Sequence, residues 1–243
     1  MHVLIKLLAV GAATAMLSGP AWSATLVNFS TSATAIANLN GVTSQNSASD
    51  QVSAIGDQAN AYATIYQIDP DTGALVSGNA RSQAVYNGDS GTASLYAEGL
   101  IAPSGGPAGL AFSGSAWNFT FKADEAGLFT LNYDFGGAFN FTSFDIGWAG
   151  DTSESFAIGV NSPPSGVAFS RSLTAGQQYA LEVRNVSFLF SPADFNSAGG
   201  GANFRYAITA IPEPASWALM ITGFFGMGSA LRRSRRQAVL AAI

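Results

Sequence analysis

The sequence predicts an all-β protein, an antiparallel β-sandwich of jelly-roll-like type, with a signal helix at its N-terminal end and a transmembrane helix at its C-terminal end. Three observations predict this. Aromatic and β-branched residues recur in short runs with partial alternation, and no long segment keeps a 3.6-residue apolar period. Clusters of Gly, Pro, Asn and Asp separate those runs at short intervals. Two uncharged apolar stretches, one near each end, stand outside the pattern.

Residues 1–23 read as a secretory signal. His2 and Lys6 lie in a short leading segment, and an uncharged run follows from Leu7 to Leu17. Ser18, Gly19 and Pro20 break the run. Ala21-Trp22-Ser23 then places small residues at positions −3 and −1 of a cleavage site between Ser23 and Ala24. The alternative is an uncleaved anchor, for which the run is short.

Residues 24–210 form the expected extracytoplasmic β domain. Strands are expected over Ala61–Ile68, Phe112–Phe121, Leu128–Phe135, Tyr179–Phe190 and Asn203–Ala210. In the first of these, Tyr62, Thr64, Tyr66 and Ile68 share one face. Turns are expected at Asp69-Pro70-Asp71-Thr72-Gly73, Asn87-Gly88-Asp89, Ser104-Gly105-Gly106-Pro107, Gly136-Gly137, Ser162-Pro163-Pro164 and Gly199-Gly200-Gly201. Ala24 to Gln51, poor in charge and rich in Ser, Thr, Asn and Ala, reads as an early edge strand followed by a mobile segment. The glycine-rich stretch 197–203 reads as a long loop.

Charge narrows the function. Only 10% of the chain is charged, against roughly 25% in an ordinary globular protein. Between Ala24 and Ile211, five basic residues face fourteen acids, a net charge of −9. Such a field repels phosphate backbones, so nucleic acid is not an expected partner. The sequence has no cysteine, which removes disulfides and thiolate chemistry. Its one histidine, His2, would be lost with the signal, leaving no imidazole for catalysis or metal binding.

No catalytic, cofactor or metal site is expected in the domain. Asp69 and Asp71 could offer oxygens to calcium, but no bidentate Glu follows and Pro70 already accounts for a turn. Asn87-Gly88-Asp89 reads the same way. Trp117 and Trp148, with acceptors such as Asp145 or Asp151, could stack on a sugar, although a strand Trp is more often core. Asp124-Glu125 suits a hairpin turn better than a pair of catalytic acids. Asn-x-Ser/Thr triplets begin at Asn28, Asn118, Asn140 and Asn185.

The C-terminal segment 211–236 is the most specific part of the chain. Pro212, Glu213 and Pro214 form a stiff, extended triplet, since neither proline fits a helix interior. Trp217 and Ala218 follow. Residues 215–231 are uncharged, and as a helix would span about 25 Å, slightly short of a ~30 Å hydrocarbon core. Arg232, Arg233, Arg235 and Arg236 close the stretch and should remain cytoplasmic. Residues 237–243 form a short tail.

This segment resembles the PEP-CTERM sorting signal in its PEPxxWA form. Pro212-Glu213-Pro214 match the triplet, Trp217-Ala218 the following pair, residues 215–231 the span and Arg232 to Arg236 the basic end. The resemblance implies recognition by exosortase, a membrane transpeptidase, in a Gram-negative bacterium that makes exopolysaccharide and biofilm. The expected partners are therefore signal peptidase, exosortase, the membrane through residues 215–231, and exopolysaccharide. The expected product is a non-enzymatic surface or extracellular-matrix protein, exported through the inner membrane and anchored only transiently. A plain tail anchor is the alternative that hydropathy and charge leave open. For the domain itself, the alternatives are a glycan-binding adhesion module, with or without calcium assistance, and, more weakly, a secreted hydrolase.

Overall fold

The computed structural model describes residues 24–102, 109–140, 142–159, 162–191, 196–211, 218, 220–229 and 232. The segment 1–23, Pro212, Glu213, Pro214, Trp217, Arg233, Arg235, Arg236 and the tail 237–243 lie outside the described residues. The chain divides into two compact units, one ending at Thr209 and the other beginning at Ala210.

The first unit is built of antiparallel strands in two six-stranded sheets, consistent with a β-sandwich. One sheet runs in the order β2 (Val42–Gln51), β1 (Ala24–Leu39), β6 (Gly109–Ala123), β11 (Gln178–Ser191), β8 (Thr142–Ala149) and β9 (Ser153–Ile158). The other runs β10 (Ser165–Leu173), β7 (Gly127–Asn140), β12 (Asn196–Ala210), β5 (Ser90–Ala102), β4 (Leu75–Tyr86) and β3 (Gln58–Ile68). The period-two pattern sets which side chains turn inward. On β6, Ala111, Ser113, Ser115, Trp117, Phe119, Phe121 and Ala123 are buried while the residues between them are not.

The core has two characters. Phe29, Tyr86, Trp117, Phe119, Phe121, Phe129, Trp148, Phe169, Tyr179 and Tyr206 form a continuous aromatic cluster. Elsewhere the interior is small: Ala33, Ala35, Ala61, Ala63 and Ala80 make one cluster. Small side chains let the layers approach. Cα atoms of β1 and β4, and of β5 and β6, come within 8 Å across the sandwich, where about 10 Å between sheets is usual. Gly109 belongs to this close packing, because a Cβ there would lie 2.5 Å from Val76 Cγ2.

Each pair of open edges is fastened by side chains. Beside β3, the Asp50 carboxylate of β2 accepts the Asn60 N–H at 2.9 Å, and Asn46 Nδ2 donates to Thr64 O at 3.0 Å. These bonds occupy main-chain groups that β3 would otherwise present to another strand. At the opposite end of the sheets, Glu154 of β9 pairs with Arg171 of β10, and Phe156 packs edge-on against Phe169.

Three sequence expectations are corrected here. Ala24 to Gln51 is not an edge strand followed by a mobile segment. It is a regular hairpin, with β1 inside the sheet between β2 and β6. Asn40 and Gly41 turn it, with φ of 56° and 77°, the conformation of a tight hairpin turn. The glycine-rich stretch 197–203 is not a loop either, since it lies within β12, and Gly136-Gly137 is not a turn but part of β7. Gly199 and Gly201 run so close to β5 that a Cβ at either would lie 2.9 Å from a backbone oxygen, of Ala97 and Leu95 respectively.

In the second unit, Ala218, residues 220–229 and Arg232 are helical. Among the described residues, no helix is long and apolar enough to cross a membrane.

Candidate functional site

Of the residues singled out from the sequence for sorting and processing, Ala24, Ala218 and Arg232 are described. Ala24 is the first residue of β1, opposite Ala123 of β6. Ala218 and Arg232 are exposed and helical. Between them, Met220, Ile221, Phe224, Phe225 and Met227 are all exposed. The two hydroxyls of this stretch are spent on its own backbone: Thr222 Oγ1 donates to Ala218 O at 2.6 Å and Ser229 Oγ to Gly226 O at 2.8 Å.

Trp117 and Trp148 are not sugar platforms. Trp117 is fully buried and Trp148 is 3% exposed, both inside the aromatic cluster. Their inward direction follows from strand parity, which single-residue reasoning did not fix. Asp151 instead accepts the Tyr179 hydroxyl at 3.3 Å, and Asp145 is exposed on β8. Asp124-Glu125 does not occupy a hairpin turn, because it links β6 of one sheet to β7 of the other.

Asp69 is buried and engaged by its own loop. Its Oδ1 accepts the Asp71 and Thr72 N–H groups at 2.9 and 3.3 Å, and its Oδ2 accepts Asn40 Nδ2 at 2.8 Å. The Asn40 bond and these backbone donors hold its pKa below the ordinary value. The carboxylate thus ties the β3–β4 turn to the β1–β2 turn. Among the described residues, no group of three or more His, Cys, Asp or Glu is placed to hold a metal ion.

The outer face of the second sheet carries a set of side chains that the strand register aligns. Tyr62 on β3 lies opposite Arg81 on β4, Arg81 opposite Tyr96 on β5, and Tyr96 opposite Gly201 on β12. The next row reads Thr64, Asn79, Glu98 and Gly199. Tyr62 and Tyr66 are 57% and 69% exposed, and four residue steps along the strand separate them by roughly 13 Å. Tyr96 donates its hydroxyl to Glu98 Oε2 at 2.7 Å. Burial, then the Glu98 bond and its charge, push the Tyr96 phenol up to about 12, so it remains a neutral donor at physiological pH. A strip of exposed tyrosines beside an arginine, an amide and a carboxylate can stack on a sugar ring and hydrogen-bond its hydroxyls. The sequence showed the Tyr62–Tyr66 face. Arg81, Tyr96 and Glu98 were missed, because only the register brings them alongside.

A shallow cleft of about 370 Å³ opens on the same sheet, between β7, β10 and β12. Asp134 and Arg205 are its charged lining residues. Among the described residues, Asp134 is the carboxylate that it brings to its lining.

No protein-family model matches the chain, and no curated protein matches it. Among solved structures, it is similar to the crystal structure of the GH31 alpha-xylosidase from Xanthomonas citri, at 10% identity and a TM-score of 0.21, over 77% of this chain and 28% of that one.

Proposed function

We propose that this chain is an exported, non-enzymatic surface or extracellular-matrix protein, delivered by a cleaved signal peptide and sorted by an exosortase acting at Pro212-Glu213-Pro214. One observation carries this reading: the ordered series of the Pro-Glu-Pro triplet, Trp217-Ala218, the uncharged stretch 215–231 and the arginines Arg232 to Arg236. The exposed apolar side chains and self-bonded hydroxyls of residues 220–229 support it. In this account residues 215–231 hold the chain in the membrane with the arginines inside, while the stiff triplet stands outside where an enzyme can reach it. The β-sandwich is the cargo, and exopolysaccharide is its surroundings. Fractionation of cells with and without the exosortase tests this. The full-length precursor should accumulate in membranes only when the enzyme is missing, and identical distribution in both strains would overturn the reading.

A second reading, a glycan-binding adhesion module, is favoured by the row of Tyr62, Arg81 and Tyr96 beside Tyr66. It adds a ligand to the cargo without changing the sorting.

A further inference from the structure

Strand parity builds the cleft between β7, β10 and β12. On β12, Ala202, Phe204 and Tyr206 turn into the core, so Asn203 and Arg205 stand on the outer face. On β7, Leu131 and Tyr133 turn inward and leave Asn132 and Asp134 on that same face. From β10 come Ser165 and Val167, paired with Asp134 and Asn132. The Phe135 N–H closes this end of the two strands by donating to Pro164 O at 2.8 Å. These six side chains line about 370 Å³. Among the described residues, Asn132, Asp134, Asn203 and Arg205 have no side-chain hydrogen bond or ion pair to the protein. Val167, the apolar side chain of the β10 wall, is 60% exposed.

We propose that this cleft binds a neutral saccharide. The site goes beyond the glycan-binding reading above, which places its ligand on the tyrosine strip, and it stands on separate residues. Its ligand class follows from the lining. Asp134 and Arg205 cancel in charge, so the cleft selects for neither sign, and the net −9 of the domain repels acidic saccharides. What remains is hydrogen bonding. Asp134 accepts, Arg205 donates, and the amides of Asn132 and Asn203 and the Ser165 hydroxyl do both. A sugar ring presents hydroxyls that donate and accept around its edge, and C–H groups on its faces for Val167 to cover. The volume falls at the small end of the range for ligand pockets, roughly 300–1,000 Å³. From Asn203 a polar row then crosses the outer face: Asn203 lies opposite Ser94, Ser94 opposite Gln83, and Gln83 opposite Asn60. The row covers three strand spacings, about 14 Å, so a longer chain held in the cleft has a polar surface to continue over.

The test titrates the full chain, in mild detergent, with short probes that fit the cleft alone. Cellotriose, maltotriose, mannotriose and xylotriose are the neutral probes, and trigalacturonate is the acidic one. At least one neutral probe should bind, and more tightly than trigalacturonate. Asp134→Ala and Arg205→Ala should each weaken that binding about tenfold or more, as expected for hydrogen bonds to charged groups, and Asn203→Ala a few-fold. All three residues are exposed, so the melting temperatures of the variants should stay nearly unchanged. The double variant Tyr62→Ala, Tyr66→Ala should bind the same probe as the parent does. The proposal is overturned if no neutral probe binds, if trigalacturonate binds as tightly, or if Asp134→Ala and Arg205→Ala leave binding unchanged. Loss of the probe in the tyrosine double variant alone would also overturn it, and would leave the tyrosine strip as the site.

Discussion

Asn185 Nδ2 donates across the interior of the sandwich to Gly200 O at 2.9 Å. Three more bonds of the same kind join the sheets: Ser187 Oγ to Ala198 O at 2.8 Å, Ser113 Oγ to Glu98 O at 2.7 Å and Ser82 Oγ to Ala116 O at 2.9 Å. All four donor residues are fully buried. In a conventional sandwich these positions would hold large apolar side chains. Here the layers lie too close for that, and short polar side chains reach the facing backbone instead. Replacing Asn185 with Ala removes the bond and leaves a void, and should destabilise the domain by about 1–3 kcal/mol. Urea unfolding checks this, with Asn46→Ala on the exposed edge as a milder comparison.

The close approach of the sheets makes a second prediction about glycine. Gly109→Ala places a Cβ 2.5 Å from Val76 Cγ2 and should cost about 1–3 kcal/mol. Gly114→Ala, on the same strand, meets nothing nearer than 3.5 Å and has no positive φ, so it should be neutral or mildly stabilising. Thermal unfolding of the two variants separates inter-sheet packing from general loss of chain flexibility.

Alkaline unfolding follows from Tyr206. Its phenol is buried, bonded to Gly88 O, and pushed well above its ordinary value by burial first and then by Tyr86 and Asp89. The folded state keeps this proton where the unfolded chain has begun to release it. Stability from this group is thus complete below about pH 10 and falls as pH rises beyond it. Tyr206→Phe should flatten that decline in a plot of unfolding free energy against pH between 9 and 11.5, at some cost to stability at neutral pH.

The tyrosine strip is tested by binding. If the second reading holds, the double variant Tyr62→Ala, Tyr66→Ala should lose retardation in gels containing the host exopolysaccharide, with its melting temperature nearly unchanged because both side chains are exposed. Trp117→Ala should instead lower stability by about 3–5 kcal/mol, since Trp117 is core.

Much of the fold was legible where alternation was carried by large residues. The face of β3 follows directly from Tyr62, Thr64 and Tyr66, while on β6 the alternation of Trp117, Phe119 and Phe121 carried a signal that the sequence reading did not use. Alternation was hidden where alanine, serine and threonine carried it. On β1 the inward residues include Thr31, Ala33, Ala35 and Ala37, which look no more apolar than their neighbours. The Asn40-Gly41 pair was a usable hairpin signal in that segment. Gly199 to Gly201 misled in the other direction, because glycine marks close strand approach as well as loops. The Tyr62–Arg81–Tyr96 row depends on pairing between distant segments, which no local pattern encodes.

The most direct test of the account is the intact mass of the mature protein recovered from the cell surface or medium. The predicted product begins at Ala24 and ends near Pro212 to Pro214. A recovered chain that retains Trp217 to Ile243 in cells with an active exosortase would contradict it.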